Sequence, residues 1–243
     1  MLKVEADRRT VMMSAALTAT AGAVLAGGGA AVAAEPSAPP KTSLTPAQAL
    51  AKMMEANRNF VTNRNNPAPI GARERLALAK GQAPFAALVG CADSRVGPEH
   101  LFGAGLGELF IVRTAGNYVD DAGYGSLAYA VAALGVPLIV VLGHERCGAV
   151  AAATELVTDN KQLPPALTRM VQPILPAVVE ARATQGDRDL VDHAIHMNVR
   201  QVVRNLRETK EPLIGNPLGQ GKLMIVGAYY DLDTGVVDFF DRG

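Results

Sequence analysis

Along residues 45–243, short runs of apolar residues alternate with stretches in which apolar residues recur at helical spacing. The uncharged runs predict strands at 85–90, 109–112 and 138–143, and runs at 223–230 and 236–240 predict a β-hairpin. A first helix of about four turns is predicted to start at Pro46 and to end near the Asn/Pro cluster at 63–69. Further helices are predicted at 71–80, 122–134, 147–158, 164–184 (interrupted by Pro173 and Pro176) and 187–208.

The order of these elements predicts the fold class. Strands that are apolar throughout and separated by helices are typical of a parallel sheet covered on both faces. A chain of 243 residues with 49% apolar residues is long enough for one domain that buries roughly 70% of its unfolded surface. We therefore expect a single α/β domain at 45–243, with a mostly parallel central sheet flanked by helices and a C-terminal β-hairpin.

The first 34 residues have the composition of an export signal. Lys3 and the adjacent Arg8 and Arg9 precede a charge-free stretch rich in Ala and Gly, which is typical of a signal peptide of the twin-arginine type at 1–34. A Pro-rich linker at 35–44 follows. The sequence therefore predicts a periplasmic protein. The alternative is an uncleaved anchor, but this stretch is only weakly hydrophobic, so no stable membrane anchor is expected.

Charge restricts the expected partners. Lys and Arg together number 23, as do Asp and Glu, and the formal net charge is 0 without any basic run. A nucleic-acid-binding surface or a polybasic membrane patch would need clustered Lys and Arg. We therefore expect a small-molecule substrate and no nucleic acid.

The chain contains two cysteines, and each follows a predicted strand. Cys91 follows one strand, and His144 and Cys147 follow another, so the three side chains are expected at the same edge of a parallel sheet. Thiolate and imidazole are ligands that zinc prefers, and three protein ligands leave a fourth position for a reacting water. Two alternatives remain open: a disulfide between the cysteines, which export would favour, and a closed structural zinc site with Asp93 or another histidine as the fourth ligand.

Asp93 and Arg95 give the predicted zinc centre a catalytic interpretation. Two thiolates cancel the formal charge of zinc, so a zinc-bound hydroxide would carry a net negative charge in a low-dielectric pocket. Arg95 can hold Asp93 in a charge-assisted pair. Asp93 can then accept a hydrogen bond from the hydroxide and orient its oxygen toward an electrophile. The alternative is an ordinary salt bridge in a loop.

Three sequence blocks around these residues resemble the signature blocks of the β-class carbonic anhydrases. They are CADSRV at 91–96, LFIVRTAGN at 109–117 and GHERCGAV at 143–150, and the similarity continues through NVRQV at 198–202 and GAYYD at 227–231. The resemblance covers most of residues 80–240. It implies a zinc enzyme that interconverts carbon dioxide and bicarbonate through zinc-bound hydroxide. It also implies a homodimer or a dimer of dimers, with an active site near the subunit interface.

The resemblance implies roles for individual residues. The metal ligands of the family match the two cysteines and His144, and its catalytic Asp–Arg pair matches Asp93 and Arg95. The family glutamine that reaches the active site of the partner subunit matches Gln82. One subgroup also binds bicarbonate at a second site built around a tryptophan three residues before the first cysteine. This chain has Leu88 there, so regulation at that site is not expected.

Other functions are compatible with the same residues. A relative on this fold could hydrolyse carbon disulfide or carbonyl sulfide, and a non-catalytic protein could keep the fold to bind zinc or bicarbonate. The intact Asp93–Arg95 pair argues against the second alternative. His100 is a candidate proton shuttle, although an exposed helical histidine is the simpler interpretation. His193 and His196 are either a second metal pair or part of a solvated helix face.

Overall fold

The computed structural model describes residues 41–64 and 70–243, and the strands of this part of the chain form one sheet in the order β2–β1–β3–β4–β5. The strands are β1 (Ala86–Cys91), β2 (Leu109–Thr114), β3 (Leu138–His144), β4 (Met224–Tyr230) and β5 (Val237–Asp241). Neighbours from β2 to β4 run parallel, whereas β5 pairs antiparallel with β4. The predicted mostly parallel sheet with a C-terminal hairpin is confirmed.

The helices lie between the strands largely as the apolar spacing predicts. They are α1 (Pro46–Val61), α2 (Ala72–Leu78), α3 (Pro98–Leu101), α4 (Asp121–Ala132), α5 (Gly148–Asp159), α6 (Pro165–Val171), α7 (Leu175–Ala183), α8 (Leu190–Arg207) and α9 (Pro212–Gly219). A 3-10 turn at Gln172–Ile174 separates α6 from α7, because Pro173 cannot donate the hydrogen bond that would continue the helix. Helix α9 was not predicted, since its prolines and glycines lower helix propensity.

Strands β1 and β3 are buried along their whole length because both faces of the sheet are covered there. In β3, Leu138, Val140 and Leu142 pack in a core with α1 and α3. The alternate residues Ile139 and Val141 pack in a second core with α4, α8 and α9. A third core, built from α5, α7 and α8, contains both cysteines at the carboxyl ends of the strands. This arrangement surrounds the predicted zinc ligands with apolar side chains.

Helix α8 packs closely on the sheet because β3 and β4 both carry glycine at the contact. A Cβ atom at Gly143 would lie 2.6 Å from Val199 Cγ2, and one at Gly227 would lie 2.8 Å from Val199 Cγ1. Val199 therefore fills the space that side chains on the two strands would need. Since Gly143 directly precedes His144, this contact fixes the separation between α8 and the strand end that carries His144.

The first helix begins where the sequence predicts it. Thr45 is the N-cap of α1, its side chain accepts a hydrogen bond from the Gln48 backbone, and Pro46 occupies the first turn. The predicted signal at 1–34 and most of the linker at 35–44 lie outside the described residues. Among the residues described, no helix combines the length and the apolar character that a membrane crossing requires.

Candidate active site

Cys91, His144 and Cys147 converge at the carboxyl edge of the sheet. Cys91 is the last residue of β1, His144 is the last residue of the neighbouring β3, and Cys147 is the N-cap of α5. Their ligand atoms all lie within 4.8 Å of one another, and all three side chains are buried. The sheet topology therefore brings together the residues that the strand-end rule predicted.

The imidazole of His144 is oriented with Nε2 toward this cluster. Its Nδ1 lies 2.9 Å from the carbonyl oxygen of Glu145. A carbonyl only accepts hydrogen bonds, so Nδ1 carries the proton and Nε2 presents a lone pair. Nε2 is buried and has no hydrogen-bond partner among the described residues. This is the tautomer and the orientation that a metal-binding imidazole needs.

The chain returns to the cluster through a tight turn after His144. Arg146 adopts a left-handed backbone conformation with φ of 52°, and Cys147 then stands at the amino end of α5. Backbone N–H groups of Ala149 and Val150 lower the pKa of the Cys147 thiol, although the other contributions outweigh them. The amino end of this 12-residue helix therefore offsets part of the increase in the pKa of this thiol.

The two thiols are free, and their sulfurs lie 4.0 Å apart. The structure does not contain the disulfide considered above. A hydrogen bond between the sulfurs lowers the pKa of Cys91 and raises the pKa of Cys147. The pair therefore holds one proton between its sulfurs, because two thiolates at this distance would repel each other.

The donor set fits zinc. A divalent cation would remove the repulsion between the thiolates and would occupy the lone pair of His144. Ligand atoms about 2.3 Å from a tetrahedral zinc ion lie about 3.8 Å from each other, which is close to the 4.0 Å separation of the sulfurs. In the described part of the chain, the cluster contains three ligand residues, so the closed site with a fourth protein ligand is not favoured.

Asp93 and Arg95 form the charged pair next to the cluster. Asp93 Oδ1 accepts from Arg95 Nε at 3.0 Å and from the Arg95 backbone N–H at 2.9 Å, while Oδ2 accepts from Nη2 at 2.7 Å. Oδ2 also lies 3.9 Å from His144 Nε2. The hydrogen bonds from the Arg95 side chain lower the pKa of Asp93 to about 2. Asp93 is therefore an anion with a fixed orientation at the edge of the cluster.

Arg113 supports the loop that carries Asp93. Its Nε donates to the Cys91 carbonyl at 2.8 Å, and its Nη2 donates to the carbonyls of Asp93 at 2.7 Å and Val96 at 2.8 Å. Hydrogen bonds from one guanidinium to three carbonyls hold the loop in a single arrangement. Sequence reasoning did not predict this contact, because it joins residues that are far apart in the chain.

The comparisons with known proteins agree with this geometry. The family model described as carbonic anhydrase matches residues 86–237. Carbonic anhydrase 2 of Mycobacterium tuberculosis is 41% identical over 191 residues, which are 78% of this chain and 90% of that protein. The carbonic anhydrase of Mycolicibacterium smegmatis is 38% identical over 194 residues, with 79% and 92% of the two chains covered.

Solved structures identify the class. A Coccomyxa β-carbonic anhydrase in complex with acetazolamide matches with a TM-score of 0.61 and 28% identity, covering 79% of this chain and 86% of that one. The β-carbonic anhydrase CafA of Aspergillus fumigatus matches with a TM-score of 0.64 and 25% identity, covering 81% and 91%. This chain belongs to the β-carbonic anhydrase family. It is thus a zinc enzyme, and carbon disulfide or carbonyl sulfide hydrolysis and a purely binding role are not favoured.

Within this carbonic anhydrase, Gln82 lies far from the predicted zinc ligands of its own chain. It occupies the loop between α2 and β1, where it lines a hollow with Leu78 and Gly107. Cys91 is at the other end of β1, and a six-residue strand alone spans roughly 20 Å. Gln82 therefore cannot reach the cluster of its own subunit.

The remaining histidines do not join the cluster. His100 is exposed in the short helix α3, as the simpler interpretation predicted. His193 is buried and its Nε2 lies 2.9 Å from Thr184 Oγ1, so the prediction of a solvated helix face was wrong for this residue. His196 stacks on Tyr229 with ring centroids 4.3 Å apart. Neither His193 nor His196 belongs to the group of three potential metal ligands in the described part of the chain.

Proposed function

We propose that Cys91, His144 and Cys147 bind the catalytic zinc and that Asp93 and Arg95 assist the reversible hydration of carbon dioxide to bicarbonate and a proton. The observation that carries the proposal is the convergence of three buried ligand atoms within 4.8 Å, beside a carboxylate held by an arginine. When bound, zinc supplies a Lewis acid that makes water nucleophilic at neutral pH.

The Asp93–Arg95 pair orients the reacting water. Because its pKa is about 2, Asp93 stays ionised at any working pH and accepts hydrogen bonds without donating one. Its Oδ2 lies on the side of His144 and can accept a hydrogen bond from the water, so that the water oxygen faces carbon dioxide. The three hydrogen bonds from Arg95 prevent the carboxylate from rotating away.

The Asp93→Asn variant tests this role, because it keeps the shape of the side chain and removes the charge. We expect one zinc ion per chain to remain and kcat/KM for carbon dioxide hydration to fall by at least about 100-fold. The matched control is Asp238→Asn, a similar change at an exposed position in β5. Stopped-flow hydration and metal analysis provide the measurements. Full activity of Asp93→Asn, or a metal-free wild type, would contradict the proposal.

Gln82 completes the site of a partner subunit in a homodimer or a dimer of dimers. The position of Gln82 at the opposite end of β1 from Cys91 supports this arrangement, because the side chain is available only to another subunit. Such a site requires a symmetric assembly in which each subunit supplies the same glutamine.

Mixed subunits distinguish this arrangement from a site confined to one chain. A heterodimer of Gln82→Leu and Asp93→Asn contains one site with wild-type Asp93 and a wild-type glutamine from the partner. Random mixing of the two inactive variants should therefore restore about one quarter of the wild-type activity, since half of the dimers then hold one intact site of two. If Gln82 acted within its own chain, mixing would restore none.

Export through a twin-arginine-type signal at 1–34 places the enzyme in the periplasm. The paired arginines before a charge-free Ala/Gly-rich stretch support this proposal. Replacing Arg8 and Arg9 together with lysine should leave the full-length chain in the cytoplasm, measured by fractionation and immunoblotting. The control replaces Lys3 with arginine. Unchanged periplasmic accumulation of the lysine variant would exclude the route.

A further inference from the structure

A buried asparagine on α8 holds the glycine that contacts the Cys91 thiol. The backbone N–H of Gly116 donates to Cys91 Sγ at 3.3 Å. The carbonyl oxygen of the same residue accepts from Asn198 Nδ2 at 2.8 Å. Gly116 therefore donates a hydrogen bond to the Cys91 sulfur and accepts one from Asn198. Neither hydrogen bond has a role in the function proposed above.

Only glycine fits at position 116. Its φ is +87°, and a Cβ there would lie 2.5 Å from Ile174 Cδ1 and 3.2 Å from Ala149 Cβ. Glycine rotates more freely than any other residue, and this one has no side chain that could fix its backbone. The direction of its N–H therefore depends on the hydrogen bonds to its backbone groups, of which the Asn198 bond is one.

Asn198 is an unusual residue for its surroundings. Its side chain is fully buried, and its neighbours Ile195 and Val199 belong to apolar cores. Its Oδ1 has no hydrogen-bond partner among the described residues. A buried, unpaired acceptor costs free energy that leucine at this position would avoid. The hydrogen bond to Gly116 explains why an amide is present here, because leucine could not donate to the Gly116 carbonyl.

We infer that Asn198 is a positioning residue, which keeps the Gly116 N–H directed at the Cys91 sulfur and so sets how strongly Cys91 donates to the metal. The inference rests on the proposed function, in which Cys91 is a zinc ligand. A hydrogen bond to a thiolate withdraws electron density from the sulfur and restrains its direction. Outer-shell hydrogen bonds of this kind tune both the affinity for the metal and its acidity.

The test compares Asn198→Leu with a matched control, both in the full chain. Asn57→Leu is the control, because Asn57 is also buried and its Nδ2 also donates to a glycine carbonyl, that of Gly235, at 3.0 Å. That contact is at the β4–β5 turn and not at a thiolate. Zinc affinity is measured by competition with a chelator. The thiolate-to-metal charge-transfer band is recorded after cobalt(II) substitution, and thermal unfolding reports stability.

For Asn198→Leu we expect a loss of zinc affinity of about 10- to 100-fold and a charge-transfer band at longer wavelength. For Asn57→Leu we expect lower stability, an unchanged charge-transfer band and a zinc affinity within about twofold of the wild type. The reason is that Asn57 contacts no residue bound to the thiolate, so the roughly 10- to 100-fold effect of a lost outer-shell hydrogen bond does not apply to it. Should Asn198→Leu fail to fold, Asn198→Ser, which is smaller and too short to reach the carbonyl, takes its place with the same expectation.

Wild-type zinc affinity and band in a folded Asn198 variant would overturn the inference, and so would an equal change of both in Asn57→Leu. The proposed function fails separately, if the wild type itself binds no zinc or shows no cobalt–thiolate band. The two failures can therefore be distinguished in one series of measurements.

Discussion

The contact between Gly143 and α8 predicts the effect of adding one methyl group next to His144. In Gly143→Ala, the new Cβ would lie 2.6 Å from Val199 Cγ2 and 3.1 Å from Ile195 Cγ2. Favourable carbon–carbon contacts are at about 3.5–4.0 Å, so the shortfall at Val199 is about 1 Å. Val199 and Ile195 are 0% and 1% exposed, and neither can move into solvent.

The expected cost follows from these distances. Overpacking of a buried contact costs about 1–3 kcal/mol of unfolding free energy. Replacing glycine with alanine at a compatible backbone position returns about 0.4–1 kcal/mol, because the unfolded chain loses freedom. With the middle of each range, we therefore expect Gly143→Ala to destabilise the protein by about 1 kcal/mol.

A double-mutant cycle with Val199→Ala tests whether this contact is the cause. Val199→Ala alone removes two buried methyl groups and should cost about 1.6 kcal/mol before any cavity is counted. It also removes the atom that the new Cβ meets. The loss of unfolding free energy in the double variant should therefore be smaller than the sum of the two single-variant losses by about 1 kcal/mol. Urea unfolding at fixed protein and zinc concentrations measures all four proteins.

Additivity within about 0.5 kcal/mol would refute the packing argument, because it would mean that Gly143 and Val199 do not share the contact. A neutral Gly143→Ala would refute it as well. The Gly125→Ala variant is the control, since a Cβ at Gly125 meets nothing within 4 Å.

Two further predictions concern protonation and metal binding. Burial lowers the pKa of His193 in the folded state, so the stability it contributes is present above the unfolded pKa of about 6.5 and is lost as the pH falls through the folded pKa. Below about pH 6.5, the unfolded pKa of histidine, the unfolding free energy of His193→Gln should fall less steeply with decreasing pH than that of the wild type. An equally steep fall would contradict a lowered pKa of His193 in the folded state. Zinc at 100 times its dissociation constant should stabilise the wild type by about 2.7 kcal/mol, and a chelator should abolish this gain. In Cys91→Ser the difference between zinc and chelator should be smaller, as measured by thermal unfolding, and an equal difference would exclude Cys91 as a ligand.

The apolar pattern predicted the fold well where burial alone determines structure. Strands β1, β2 and β3 are apolar because helices cover both faces of the sheet, so their runs of uncharged residues stand out in the sequence. The prolines in 164–184 correctly predicted a break. Helix α9 was missed because tertiary packing, through the buried Ile214, outweighs its poor helix propensity.

The site could be predicted only as far as local rules reach. The convergence of Cys91 and His144 follows from the strand-end rule for parallel sheets, which needs no side-chain detail. The contacts that orient the site join distant residues: Asn198 and Gly116 are 82 positions apart, and Arg113 and Asp93 are 20 apart. Their pairing depends on the packing of α8 and the register of β1 with β2, which no local motif encodes. The burial of His193 was missed for the same reason.

The depth of the ligand cluster has a kinetic consequence. Cys91 is 4% exposed, and His144 and Cys147 are 0% exposed, so a chelator, which is much larger than water or carbon dioxide, cannot surround an ion bound to these residues while the neighbouring loops stay in place. An ion held there can depart only during a transient local opening of those loops. The rate of loop opening then limits the rate at which the ion leaves. A higher chelator concentration would speed up metal loss only until its rate equals the rate of loop opening.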